Sequence, residues 1–219
     1  LDWRERHKLL RLAYPLGCAA FEYEVAGGWD SQSDTGREVP GQRWVRVAAD
    51  SHDVVLVNDA KYSYAAQDGT LYLTAVRSPI FAHHDPILAE DGARYRHMDQ
   101  GEQGFTVLLQ AAPSLTRQAA AALAERLNKP VVTTPHVSRG GKRDHTGQWL
   151  AFASEGGMVT ALKGAEDGNG LIARAIDLSG EGATVTLKGQ TARIAPRGMA
   201  TLRLTGDELV ASDGLERAL

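Results

Sequence analysis

Asp53 to Phe81 reads DVVLVNDAKYSYAAQDGTLYLTAVRSPIF. It contains two runs of β-forming composition, Val54–Ala65 and Leu71–Val76, joined by Gln67-Asp68-Gly69-Thr70. Asp-Gly between such runs predicts a hairpin, because glycine accepts the positive φ that a tight turn requires. In the second run Leu71, Leu73 and Ala75 should share one face, and Tyr72, Thr74 and Val76 the other. Tyr62 and Tyr64 should share a face of the first run. The hairpin then delivers Arg77-Ser78-Pro79 and the loop Phe81-Ala82-His83-His84-Asp85-Pro86 to one end of a sheet, the expected place for a ligand contact.

Working outward, Trp3–Ala26 reads as two strands. Leu9–Leu16 is apolar enough for burial on both faces, whereas FEYEV (21–25) alternates as a strand with one wet face. Gly27–Gly41 is a polar loop without periodicity, and Gln42–Ala48 alternates again. His83–Gly104, rich in His, Asp, Arg and Gly, reads as a long surface loop, of a length that tends to be functional or disordered. Phe105–Gln110 is a short strand. Ser114–Asn128 is the one convincing helix, with Ser114 as N-cap, an alanine-rich interior, Pro130 as stop, and Leu115, Ala119, Ala122 and Leu127 as the packed stripe. Pro135–Gly147 is a basic, glycine-containing linker. Beyond it, Met158–Lys163, Leu171–Leu178, Ala183–Leu187, Thr191–Ala195 and Met199–Leu204 are closely spaced short strands, the pattern of a β-sandwich.

The 219 residues suffice for one large β domain or two small ones, with an ordinary globular balance of 43% hydrophobic and 23% charged residues. A net charge of -3 and a pI near 6.2 supply no general attraction to nucleic acid or to an anionic membrane. No apolar run approaches the roughly 18 residues of a membrane-spanning helix. The single cysteine, Cys18, excludes an intramolecular disulfide and a cysteine-rich zinc site, and reads as a core residue suited to a reducing compartment. Leu1 rather than Met opens the chain inside an apparent structured segment, which suggests a piece of a longer polypeptide or a processed chain.

Three clusters are chemically suggestive. His83-His84-Asp85 carries zinc-type donors, but adjacent side chains point apart, which favours a solvated or substrate-facing loop. Glu22 and Glu24 lie at a separation of about 6.5–7 Å between Cα atoms, compatible with a glycosidase acid and base, but two glutamates on the polar face of a strand are the commoner case. Arg139-Gly140-Gly141-Lys142-Arg143 lacks the spacing of a phosphate loop. The aromatics Trp29, Trp44, Trp149, Tyr62, Tyr64 and Tyr72 could stack on a sugar, although core positions are more usual for them.

At LDWRERHKLLRLAYPL (1–16), FEYEV (21–25), VPGQRWV (39–45), VLVNDAKYSYAAQDGTLYLTAVRSP (55–79), DQGEQGFTVLL (99–109), VTALKGAEDGNGLIARAIDLSG (159–180) and IAPRGMATLRL (194–204) the sequence resembles the C-terminal β region of family 38 glycoside hydrolases, the α-mannosidases. The resemblance implies a mainly β chain: a galactose-mutarotase-like supersandwich portion over 1–134 carrying the helix 114–128, a linker over 135–147, and a smaller C-terminal β-sandwich module over 148–219. It implies a parent retaining enzyme that cleaves terminal α-linked mannose from oligosaccharides, with its zinc and its aspartate nucleophile in an N-terminal domain that this chain does not contain. This portion would hold no catalytic residue and no metal. It would start part-way through the supersandwich and lend Arg77, His83, His84, Asp85 and Tyr62 to the substrate rim, although IFAHHDP after Arg77-Ser78-Pro79 departs from the TYPDP-like residues of many bacterial relatives. A cytoplasmic location, with no nucleic-acid or membrane partner, is expected, and a homo-oligomer is compatible with this reading. The rival reading is a stand-alone carbohydrate-binding or interaction module.

Overall fold

The computed structural model describes residues 1–49, 51–81, 91–133, 135, 152–217 and 219. These residues are mainly β, with one α-helix among them. The chain divides into two compact units, one of Leu1–Val25, Asp30–Leu115 and Leu123–Asn128, the other of Ala26–Trp29, Thr116–Ala122 and Lys129–Leu219.

The strands of the first unit are β1 (Asp2–Trp3), β2 (Leu9–Cys18), β3 (Ala20–Val25), β4 (Gly28–Ser33), β5 (Val39–Pro40), β6 (Trp44–Ala48), β7 (Asp53–Asn58), β8 (Ser63–Gln67), β9 (Gly69–Arg77), β10 (Gly101–Glu102) and β11 (Val107–Ala112), β4 beginning in the other unit. One sheet runs β2-β9-β8-β5, a second β11-β7-β6-β3-β4, and β1 pairs with β10. A single core takes Val39, Tyr64, Ala66, Leu71 and Leu73 from the first sheet and Phe21, Tyr23, Val45, Val47 and Leu56 from the second, which makes the pair a sandwich. Fully burying one such leucine contributes about 1.5–3 kcal/mol.

The Asp-Gly hairpin forms as the sequence predicts. Asp68 and Gly69 have φ of 51° and 75° and Gln67 pairs with Thr70, so the two central residues make a type I′ turn. Its first arm is shorter than expected. Val54–Ala65 is two strands in different sheets, β7 and β8, because the chain crosses between sheets at Asn58. The Asn58 side chain accepts from the amides of Ala60 (3.1 Å) and Lys61 (2.6 Å), an Asx turn, and donates to the Tyr64 hydroxyl at 2.7 Å. The two tyrosines therefore do not share a face: Tyr64 is fully buried and Tyr62, in the crossover, is 60% exposed. Gly41 lies so close to the Tyr64 ring that a Cβ there would meet it at 2.7 Å, so no larger residue fits without repacking.

β7 is buried on both faces. One face enters the sandwich core. The other carries an ion-pair network beneath the C-terminal half of the helix, α1 (Arg117–Asn128), on the sheet face where FEYEV (21–25) was expected to be wet. Arg43 grips both carboxylate oxygens of Glu24 and donates to Glu125 at 2.6 Å. Arg46 donates to Glu22 at 2.6 Å, to Asp53 at 2.9 Å and to the Leu115 carbonyl. Glu22 and Glu24 are thus structural anions, and the reading of them as an acid and base pair has no geometric support. The Leu115 amide donates to Asp53 at 2.8 Å. That bond, seconded by Arg46, lowers the Asp53 pKa against the opposing effect of burial. Asp59 is lowered in the same direction, first by the Thr106 amide at 2.8 Å.

A carboxylate with a depressed native pKa contributes stability that is fully present above its unfolded value, about 3.9, and lost as pH falls through the native one. The denaturant midpoint should therefore drop progressively below about pH 4. Asp53→Asn should flatten that dependence when midpoints are compared between pH 5 and pH 2.

Other expectations need correction. β2 is half-exposed rather than buried on both faces. The polar stretch Gly27–Gly41 contains the edge strand β4 and the short β5, and the loop 83–104 contains β10. The helix begins three residues later than predicted. Thr116, not Ser114, caps it, its hydroxyl accepting from the Ala119 amide at 3.1 Å. Its buried residues are Ala120, Ala121 and Ala124, while Ala122 is exposed. The predicted linker lies outside the described residues except for Pro135. Cys18 is buried, and desolvation, seconded by the Asp34 charge, pushes its thiol up to about 11, as befits an inert core residue.

In the second unit a three-stranded sheet, β12 (Phe152–Glu155), β15 (Ala183–Leu187) and β16 (Gln190–Ile194), shares a core with a four-stranded one, β13 (Gly157–Gly164), β14 (Leu171–Asp177), β17 (Met199–Thr205) and β18 (Glu208–Ser212). β12 and β18 were not anticipated. Asp177, 1% exposed, ends β14 inside a cage of donors. It accepts from the Ser179 amide (2.9 Å) and hydroxyl (2.7 Å) and from the amides of Gly180 (2.9 Å) and Arg197 (2.7 Å). Burial acts to raise its pKa, but these bonds outweigh it and the net shift is downward. Nearby, two guanidinium groups lie over the Trp29 ring, Arg117 at 3.5 Å and Arg197 at 4.2 Å from its centroid.

Candidate functional site

The end of β9 that the hairpin was expected to aim outward does lie at the surface. Ala75 and Val76 are both buried, which strict alternation forbids, because a β-bulge shifts the β2–β9 register between Leu10 and Arg11. The bulge re-aims the residues after it. Val76 is a core residue, contrary to the alternation read from sequence, and Arg77 emerges exposed on the side of Thr74. There it faces Glu38, whose carboxylate accepts from the Thr74 hydroxyl and lies 3.7 Å from Arg11. Partial burial acts to raise the Glu38 pKa, but the hydroxyls of Thr74 and Ser63 and the charges of Arg11 and Arg77 carry it below the usual value. The Arg77 backbone is fixed from the other side, its amide donating to Asp99 at 3.0 Å.

Beyond Arg77 the chain is tied down. Ser78 is fully buried, its hydroxyl bridging the amide and carbonyl of Lys8 at 3.2 Å each, and its carbonyl accepts from the His7 amide at 2.8 Å. Ile80 bridges to His97, with the Phe81 amide donating to the Arg96 carbonyl at 2.7 Å. These pairings bring Arg6-His7 beside Arg94–His97, about ninety positions away in sequence, around a cavity of about 770 Å³. Its wall includes Arg6, His7, Ile80, Arg94, Tyr95 and His97. The His7 and His97 rings meet edge to face, centroids 4.7 Å apart, with Nε2 to Nε2 at 3.1 Å.

Tyr62 makes no hydrogen bond or ring contact with Arg77 among the described residues. His83, His84 and Asp85 lie outside them. Arg6, His7, Arg94 and His97 were not singled out from sequence. The only available signal was the density of His and Arg in 83–104, since their meeting depends on the β2–β9 pairing. Among the described residues no three His, Cys, Asp or Glu side chains converge closely enough to hold a metal ion.

Residues 1–86 match the family model described as Glycosyl hydrolases family 38 C-terminal domain. Alpha-mannosidase G of Dictyostelium discoideum is 32% identical over 89 residues, 36% of this chain and 8% of the relative. An alpha-mannosidase from Enterococcus faecalis V583 has the same fold over 92% of this chain, with a TM-score of 0.65 at 19% identity. So does a protein in the Glycosyl Hydrolase Family 38 from Enterococcus faecalis, at 0.66 and 20%. The chain spans 25% and 26% of those two solved chains. The first 86 residues, which run through the hairpin and Arg77, are therefore similar to the C-terminal domain of glycosyl hydrolase family 38.

Proposed function

We propose that this chain is the non-catalytic β portion of a retaining α-mannosidase, completing the substrate pocket and bracing a catalytic domain carried elsewhere in the polypeptide. The observation that carries this reading is the family match over 1–86, which covers the strand that positions Arg77. On this reading the zinc and the aspartate nucleophile belong to the catalytic domain. Arg77 has an exposed guanidinium on an anchored backbone, and its planar fork of donors suits sugar hydroxyls or a carboxylate that orients them. His83, His84, Asp85 and Tyr62 complete the proposed rim, and a cytoplasmic location goes with it.

The test is hydrolysis of an aryl α-mannoside by a longer polypeptide carrying this chain, beside the 219-residue chain with and without zinc. Arg77→Ala in the longer protein should lower kcat/KM by roughly 10–100-fold, the loss of a hydrogen bond from a charged donor, with the melting temperature unchanged. Unchanged kinetics would remove Arg77 from the pocket. Turnover by the 219-residue chain itself would place the catalytic groups within it and overturn the reading. Saturable mannose binding confined to the chain's aromatics, with no activity in either form, would favour a stand-alone carbohydrate-binding module.

A further inference from the structure

The cavity between Arg6-His7 and Arg94–His97 has a one-sided wall. Two guanidinium groups and two imidazoles line it, and no carboxylate is among the described residues that do. Neither Arg6 nor Arg94 makes an ion pair or a side-chain hydrogen bond with a described residue, although Glu22, Glu24, Glu38 and Asp53 each engage an arginine elsewhere in this unit. Like charges that are unpaired among the described residues repel one another around one concavity, and an anion entering it relieves that repulsion.

The imidazole pair adds directional donors. With Nε2 facing Nε2 at 3.1 Å, one ring donates to the other, and each ring keeps its Nδ1 outside that contact. The rings are held by backbone rather than by chance: the His7 amide is tied to Ser78 and His97 is bridged to Ile80. The number of cationic groups decides the ligand class. One guanidinium fork saturates a carboxylate, whereas a phosphate group brings three oxygens and nearly two charges and can use two forks and an imidazole.

We propose that this cavity is an oxyanion site for a phosphate group, either free or carried on a sugar. About 770 Å³ exceeds what phosphate alone fills and falls within the range of small-molecule pockets, with Tyr95 and Ile80 supplying an apolar wall. The site stands on this geometry and does not depend on the α-mannosidase reading.

The test is titration of the 219-residue chain with inorganic phosphate, then with mannose 6-phosphate and with mannose, at constant ionic strength set by chloride. Calorimetry and the 15N signals of the histidine rings report binding. Saturable phosphate binding is expected, with a dissociation constant of about 1 mM or tighter. Arg6→Gln/Arg94→Gln should weaken it at least tenfold, and His97→Gln severalfold. Both arginines are exposed, so an unchanged thermal melt should accompany the loss. Sugar phosphate binding ten times tighter than phosphate identifies a phosphorylated saccharide as the ligand, and equal affinities identify free phosphate. A linear, non-saturating response, or phosphate binding that survives in the double arginine variant, overturns the proposal.

Discussion

Arg43→Ala should cost about 3–5 kcal/mol of folding free energy, the largest effect expected of any single substitution in the first unit. Glu24 is 6% exposed and has both carboxylate oxygens on Arg43, so truncating the arginine leaves a buried anion without its counter-charge. It also removes the ion pair between Arg43 and Glu125 on the helix. The cause is distinguishable from a packing loss. Replacing both partners, as in Arg43→Met with Glu24→Leu, removes the desolvation penalty together with the attraction and should recover most of the stability. Urea denaturation of the two single variants and the double variant closes a mutant cycle. Additive losses would mean that the pair does not interact as its geometry indicates.

Asp177→Ala should destabilise the second unit by about 2–4 kcal/mol, because three backbone amides lose their shared acceptor in a partly buried turn. Asp177→Asn should fall between the wild type and the alanine variant, since a carboxamide retains one acceptor oxygen but turns an amino group toward amides that can only donate. Trp29 provides a local reporter, its ring lying against the guanidinium of Arg197, whose own amide is one of the three. A midpoint for Asp177→Ala equal to that of the wild type would show that water replaces the carboxylate at no cost.

The two substitutions mark the boundary between what was legible in the sequence and what was not. The Asp68-Gly69 turn could be read because its chemistry is local: two residues must adopt positive φ, and these two do so readily. The helix was readable from its alanine content, although its cap was misplaced by two residues because Ser114 and Thr116 offer similar hydroxyls. The split of Val54–Ala65 was not readable. An apolar run gives no sign of the point where it leaves one sheet for another, and the signal was a single asparagine, Asn58. GWDSQS (28–33) reads as loop in the sequence because an edge strand with few buried positions need not alternate. For the candidate site, Arg77 was placed correctly at the end of a strand, but the bulge that aims it leaves no mark in composition. The cavity beyond it is assembled from Arg6-His7 and Arg94–His97, whose proximity is a product of tertiary pairing.

That same pairing sets an order of events for a chain emerging from the ribosome. Leu9 pairs with Arg77, 68 positions later, and at roughly 5–20 residues per second the second strand arrives about 3–14 s after the first. The Asp-Gly hairpin closes within microseconds of its synthesis, but β2 has no ladder partner until β9 exists. For those seconds LLRLAYPL remains an apolar segment with open hydrogen-bonding edges. The step that sets the pace of this pairing is therefore the synthesis of β9, and the nascent chain is most vulnerable to mispairing between the synthesis of Leu9 and that of Arg77.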